Sequence, residues 1–287
     1  MNAGFYSSSV ELARSEAVLG EYRDFLIARN GAGFVAREAR MAGEFDATRA
    51  PSVLQLDAER FNRNYASLRE RALSKEELAL LAFVKINAGE AWGVECVSKA
   101  REQQQEAPGV ISDVERLVTR EEHFHTRLLV GAAGHFHGPD GKRLEVTGAW
   151  KPGLPLRVII GALVHAPRAL FHPVLLGAEV AGVFAFNWLL TRLRDLFPDA
   201  PSVRESMERR LVEVLIDEVG HIAFNRVLVG AAGRAVARTV AKQISWSHQL
   251  GSPELVSLGF GMDVLGRLDT FDLGDLPDEV RRRAFFA

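Results

Sequence analysis

Cysteine is almost absent from this chain. Cys96 stands alone, which excludes an intramolecular disulfide framework and any multi-cysteine zinc or iron–sulfur site. A reducing cytoplasm is therefore the expected compartment. Residues 1–16 lack a basic segment followed by an apolar core, so no signal peptide is expected. Charge of one sign is lacking too. A formal net charge of -2 leaves no footprint for nucleic acid, which calls for a basic face. No long apolar run is uninterrupted. The longest, Val174 to Leu190, contains Glu179 and is flanked by Arg168 and Arg192. A membrane span needs about 20 apolar residues, and a central carboxylate costs roughly 2.5–3.5 kcal/mol. A buried helix of a soluble protein is the expectation, with no membrane. Period-2 alternation is scarce as well, which argues for an all-α architecture.

What is present is a helical pattern on a chain of 287 residues, 47% hydrophobic and 25% charged, enough for a substantial core. Residues 1–287 read as one domain, with a core bundle at about 75–230 and helical extensions at 1–72 and 231–287. Residues 10–29 and 53–72 read as amphipathic helices around a Gly-rich stretch at 30–44. Ser74 with Glu77, Ser112 with Glu115 and Ser202 with Glu205 have Ser-x-x-Glu spacing, the signature of a capping box. The first is expected to start one helix from Lys75 to Glu106, closed by Pro108-Gly109. The second should start a helix from Asp113 to Val130. Residues 135–157 hold several Gly and Pro and read as a long loop with room for a short hairpin. Core helices are expected at Pro173–Phe197 and from Val203 to Gly230. Further helices are expected at 232–249 and 253–268, the latter with Ser252 as cap and Pro253 at its first position.

Two stretches carry the chemistry: Glu121-Glu122-His123-Phe124-His125 and Asp217-Glu218-Val219-Gly220-His221. Each holds a Glu-x-x-His step preceded by a second acid. Residues three apart share a helix face, so each step aims a carboxylate and an imidazole at one point. Glu-x-x-His alone is weak, and placement makes it specific. Glu90 shares its face with Ala79, Phe83, Ile86, Val94 and Val97. Glu122 and His125 share theirs with Val118 and Leu129, and Glu179 shares its face with Leu175, Leu176, Val183 and Phe186. Glu218 and His221 lie with Leu211, Val214, Ile222 and Asn225. Four glutamates thus sit on the most apolar faces of four helices, where hydrophobic burial drives them inward. Buried carboxylates without cations are prohibitively unfavourable. No Lys or Arg shares those faces, whereas two divalent ions would balance four carboxylates.

This ligand order resembles the ferritin-like dinuclear iron and manganese carboxylate proteins, which take one glutamate from each of two helices and a Glu-x-x-His from each of two others. The resemblance covers residues 75–230 and extends to the spacing of the oxygen-activating members. It implies a ferritin-like four-helix bundle with added N- and C-terminal helices. It implies Glu90 and Glu179 as terminal ligands, Glu122 and Glu218 as bridges, and His125 and His221 as one imidazole per metal. Glu121 and Asp217 would then accept hydrogen bonds from the ligand histidines and fix their tautomers. Phe83, Val183 and Phe186 would line a substrate pocket. The ligand set suits two Fe ions, with Mn as the alternative, better than copper or structural zinc.

The implied activity is that of an O2-activating non-heme diiron oxygenase or oxidase, a monooxygenase acting on a small organic substrate by hydroxylation, N-oxygenation or other oxidative C–H or C–C chemistry. O2 would be the co-substrate, an external electron donor the partner, and a homodimer the assembly such bundles often adopt. Within the family the chain is similar in length to the p-aminobenzoate N-oxygenase group. That group's additional histidine, one turn before the second bridging glutamate, corresponds here to Val214. Aldehyde-deformylating oxygenases and tRNA-modifying hydroxylases share the general pattern, and the near-neutral charge argues against tRNA. With tyrosine only at positions 6, 22 and 65, off the four metal-bearing helices, a tyrosyl-radical reductase subunit is not expected.

Plainer roles suit the remaining candidates. Glu95 has Lys99 four residues on, an exposed ion pair. Glu213 neighbours Arg209 and Arg210 but could be an added ligand, and Glu115 reads as a cap. His123 points away from His125, while His135 and His137 lie in the Gly/Pro loop. His172 falls seven residues before Glu179 on the same face and could support the site. Two other functions stay open: a metal-binding ferritin-like protein without oxygenase activity, and an all-helical interaction protein.

Overall fold

The computed structural model describes residues 4–6, 15–42, 53–66, 73–86, 88–103, 109–144, 146, 158, 161–163 and 165–286. These are mostly helical. The chain runs through α1 (Ser15–Asn30), α2 (Val35–Arg40), α3 (Ala58–Ala66), α4 (Lys75–Ile86), α5 (Ala88–Gln103) and α6 (Val110–Val130). It continues through α7 (Arg168–Leu196), α8 (Pro201–Leu228), α9 (Ala231–Gly251), α10 (Pro253–Ser257), α11 (Met262–Leu265) and α12 (Asp278–Arg283). The one departure from all-helical structure among the described residues is a parallel pair of two-residue strands, β1 (Leu54–Gln55) and β2 (Phe136–His137). A bridge between His137 and Arg143 makes β2 one arm of the short hairpin expected in the 135–157 loop.

Several boundaries differ from those predicted, each for a local reason. The Ser74–Glu77 box forms, with Ser74 N donating to Glu77 Oε2 at 2.8 Å and Glu77 N to Ser74 Oγ at 3.2 Å. The other two do not form, because both helices start earlier, at Val110 after Gly109 and at Pro201 after Ala200. Pro201 takes the first turn, where its missing N–H costs nothing. The helix predicted over 75–106 is helical at Lys75–Ile86 and Ala88–Gln103, with residues 87 and 104–106 outside the described residues. α7 begins at Arg168 and passes through Pro173. The extra turn is held by Arg168, which donates to Glu115 Oε2 at 3.0 Å, and by burial of Phe171 and His172. Residues 253–268 form two short helices rather than one, with Gly259 between them at a φ of 101° that only glycine adopts readily.

Helix α8 is buried almost all round, with Val214, Leu215, Ile216, Val219 and Ile222 fully enclosed, so it is a central helix rather than an amphipathic one. It packs chiefly on α7, which on its other side packs on α9. The second contact is close because residue 177 is glycine: a Cβ there would sit 2.6 Å from Ala237 O. By length and composition α7 could cross a membrane, yet 67% of its most apolar stretch is buried in the fold. Helix α1 lies against α6 and α8. Side-chain pairs fix the directions. His125 meets Asp217 and His221 meets Glu121, so α6 and α8 are antiparallel, and His172 meets Asn225 while Glu179 meets His221, so α7 and α8 are too.

Candidate metal centre

The i, i+3 spacing in α6 and α8 does locally what helix geometry dictates, and the antiparallel packing brings the two steps face to face. Ligand atoms of Glu122, Glu179, Glu218 and His221 all lie within 4.8 Å of one another, and all four residues are buried. His125 joins them, its Nδ1 3.1 Å from Glu218 Oε1 and 3.6 Å from Glu122 Oε2. His221 Nδ1 is 3.1 Å from Glu122 Oε1 and 3.3 Å from Glu218 Oε2. Five of the six predicted ligands therefore converge. The sixth, Glu90, is on α5, and its side chain lies outside the described residues.

Both imidazoles are turned the same way. His125 Nε2 donates to Asp217 Oδ2 at 2.8 Å, and His221 Nε2 donates to Glu121 Oε2 at 3.0 Å. A carboxylate has only lone pairs to offer, so each Nε2 carries a proton, and Nδ1 is the nitrogen turned to the glutamates. The pairing is crossed: each outer acid serves the histidine of the opposite helix. Among the described residues the two Nδ1 atoms and both Glu218 oxygens have no hydrogen-bond partner despite being buried. Buried polar atoms left without hydrogen bonds are costly unless something else occupies the space between them. Three carboxylates and two imidazoles form an oxygen-rich set that fits iron or manganese.

Around this set lies a second charged layer that sequence reasoning missed. Arg37, fully buried, donates to Asp217 Oδ2, and its Nη1 is 3.4 Å from Glu121 Oε1. Arg29 Nε donates to Asp217 Oδ1 at 2.6 Å and its Nη2 to Glu213 Oε2 at 2.8 Å. Asn30 Nδ2 donates to Glu121 Oε1 at 2.7 Å, and Arg283 pairs with Glu213 Oε1. Three arginines (29, 37, 283) thus face three acids (121, 213, 217), and this layer is formally neutral by itself. Glu122, Glu179 and Glu218 lie inside this layer, next to the two histidines. Glu213 belongs to the arginine layer, so it is not an added ligand.

The titration behaviour follows. Burial alone would lower both histidines, yet Asp217, Glu122 and Glu218 hold His125 well above its ordinary value, and nearby acidic groups do the same for His221. Burial opposes ionisation of Asp217 as well, but Arg29 and Arg37 hold it well below the usual carboxylate range. Glu122 and Glu218 are lowered against burial by the two histidines. Glu179 is pushed up by burial and then by Glu218, with His221 opposing.

The other candidates take structural places. Glu95 pairs with Lys99 at 2.5 Å on the surface, and His123 is exposed. His135 is buried on Ser206 Oγ at 2.8 Å. Glu115 is no cap: it receives Arg168 and lies 3.6 Å from His172 Nε2. His172 Nδ1 is 2.8 Å from Asn225 Oδ1, and Asn225 Nδ2 donates to His221 O at 3.0 Å, so it supports the His221 turn from one layer away. Phe83, Val183, Phe186 and Val214 are fully buried core residues. A described cavity of about 400 Å³ is lined elsewhere, by Met41, Glu205, Arg209 and Glu213 among others.

No protein-family model, curated protein or solved structure matches this chain.

Proposed function

We propose that this chain is an O2-activating dinuclear iron oxygenase or oxidase of ferritin-like architecture, with manganese as the alternative metal. The observation that carries the reading is the paired orientation of His125 and His221, each holding an acid of the opposite helix through Nε2 and turning Nδ1 to the buried cluster of Glu122, Glu179 and Glu218. Glu122, Glu179, Glu218, His125 and His221 would hold the ions, with Glu90 completing the set from α5. When bound, two ferrous ions supply O2 with a pair of electrons in one step.

The protein's own contribution is positional. Asp217 and Glu121 hold the Nε2 protons and prevent the rings from turning. Phe83, Val183 and Phe186, all fully buried, would adjoin a small organic substrate and keep water from it. Inserting one oxygen atom of O2 and reducing the other to water consumes two electrons and two protons from outside. An external donor is therefore part of the proposal. The reading places the protein in the cytoplasm, with no nucleic-acid or membrane partner and with homodimerisation as in other such bundles.

Anaerobic reconstitution with Fe(II) followed by O2 tests it. The expected result is about two irons per chain and oxidation to a coloured ferric product. Metal bound without O2 consumption would favour storage or another metal function. Failure of the chelated, refilled protein to bind metal would leave only a helical interaction protein.

A further inference from the structure

Arg37 reaches the interior by an unusual route. Helix α1 ends at Asn30, and the chain reverses through Gly31 (φ 71°), Gly33 (φ 62°) and Phe34 (φ 67°), the one non-glycine residue with positive φ among those described. A left-handed phenylalanine is strained and persists only where the surroundings over-determine it. Here they do. Phe34 packs against Phe124 with ring centroids 6.3 Å apart, and the Arg37 guanidinium lies 3.9 Å above that same Phe124 ring. The outcome is a fully buried guanidinium between the two outer acids. Its Nη2 bonds Asp217, which holds His125, and its Nη1 bonds Asn30 Oδ1 at 3.3 Å and approaches Glu121, which holds His221.

We propose that Arg37 is a positioning residue that ties the two crossed acid–histidine pairs into one unit, so that both imidazoles present Nδ1 together. The inference rests on the metal-centre reading above but assigns a role to a segment outside the helices that carry the ligands. Charge alone does not account for it. Arg29 already supplies a cation to Asp217. What Arg37 adds is a planar fork with one nitrogen for each half of the site, which a lysine cannot reproduce. The turn at 31–34 is then the device that delivers this fork, and Asn30 and Arg29 at the end of α1 close the same acids from the other side.

Zn(II), which is diamagnetic, provides the test. Wild-type protein, Arg37→Met and Arg37→Lys are titrated against a competing chelator, and the histidine side-chain nitrogens are observed by 15N NMR in the loaded protein. In the wild type both histidines should carry metal on Nδ1 and a proton on Nε2. Arg37→Met should bind Zn(II) about 10–100-fold more weakly, the usual effect of losing an outer hydrogen-bond partner. Its Nδ1 and Nε2 signals should also show a mixture of ring orientations at both histidines. Arg37→Lys, which keeps a charge but not the fork, should recover only part of the affinity. Wild-type affinity with unaltered histidine signals in Arg37→Met would overturn the proposal. If that variant does not fold, the same result in Arg37→Lys overturns it. A wild-type protein that binds no Zn(II), Fe(II) or Mn(II) is a separate outcome, and it removes the metal-centre reading itself.

Discussion

Asp217 on α8 accepts the Nε2 proton of His125 on α6 at 2.8 Å, while His221, three residues after Glu218, turns to Glu121 on α6 at 3.0 Å. The crossed arrangement separates two kinds of acid. Glu122 and Glu218 face inward with unpartnered histidine nitrogens, whereas Glu121 and Asp217 face outward to arginine and asparagine. Substitutions should divide accordingly. Glu218→Ala or Glu122→Ala should abolish stable metal binding. Glu121→Ala or Asp217→Asn should retain it with affinity lowered about 10–100-fold. Chelator-competition titration of the four variants is the check, and equal losses in all four would refute the division into ligands and supports.

Helix periodicity is why the inner set was legible in the chain. A carboxylate and an imidazole three residues apart must share a face, and apolar neighbours on that face send them inward, so Glu122, His125, Glu218 and His221 declare themselves locally. Glu179 does so by being the only charge in an apolar run. The outer layer has no such signature. Arg37 meets Asp217 across 180 positions and Arg29 meets it across 188, and an arginine on an amphipathic helix ordinarily belongs to a solvated face. The Gly-rich stretch at 30–44 gave no sign of the short helix Val35–Arg40 that carries Arg37 inward. Capping boxes show the same limit. Ser74 forms one, whereas Ser112 and Ser202 have the spacing but lie inside helices that began earlier.

Metal uptake should depend on pH in a defined direction. His125 and His221 are held above the ordinary histidine value of 6.5 and Glu179 above 4.5. Groups raised on folding stabilise the metal-free protein fully below their unfolded values, and that contribution is lost as pH rises through the folded ones. Asp217, Glu122 and Glu218 are lowered, so their contribution is lost only as pH falls well into the acid range. The metal-free protein should therefore be less stable at about pH 8.5 than at about pH 6. Metal must displace the histidine protons, so apparent affinity should increase over the same interval. Thermal unfolding with and without Fe(II) or Mn(II) should show a gap that widens with pH. A gap independent of pH would mean the histidines are not ligands.

Gly177 should not tolerate a side chain. Its missing Cβ is what lets α7 approach α9, and an added methyl would meet both Ala237 O at 2.6 Å and Val240 Cβ at 2.8 Å. Neither neighbour is the free end of a flexible side chain. Gly177→Ala gains helix propensity of about 1 kcal/mol, but overpacking costs typically 1–3 kcal/mol. A net destabilisation is expected from denaturant unfolding. Metal affinity in the variant that remains folded should stay near wild type, because α9 contributes nothing to the ligand set.

Tyr22 offers the opposite case, a group whose partial removal should stabilise. Its ring is packed against Phe25, Phe224 and Phe285, and its hydroxyl is buried with no hydrogen-bond partner among the described residues. Burial first, and then Glu121, Asp217 and Glu179, push its pKa well up, so the phenol stays neutral and gains nothing by ionising. An unsatisfied buried hydroxyl costs about 1–3 kcal/mol. Tyr22→Phe keeps the ring and deletes that cost, so unfolding should require about 1 kcal/mol more, a rise of roughly 2–4 °C in Tm for a chain of this size. Gly220 lies directly beneath: a Cβ there would be 2.8 Å from Tyr22 Oη and 2.9 Å from Cε2. Gly220→Ala should destabilise the wild type, and by less in the Tyr22→Phe background, since one of the two short contacts is gone. A Tyr22→Phe variant less stable than wild type would show that the hydroxyl has a partner worth more than its burial costs.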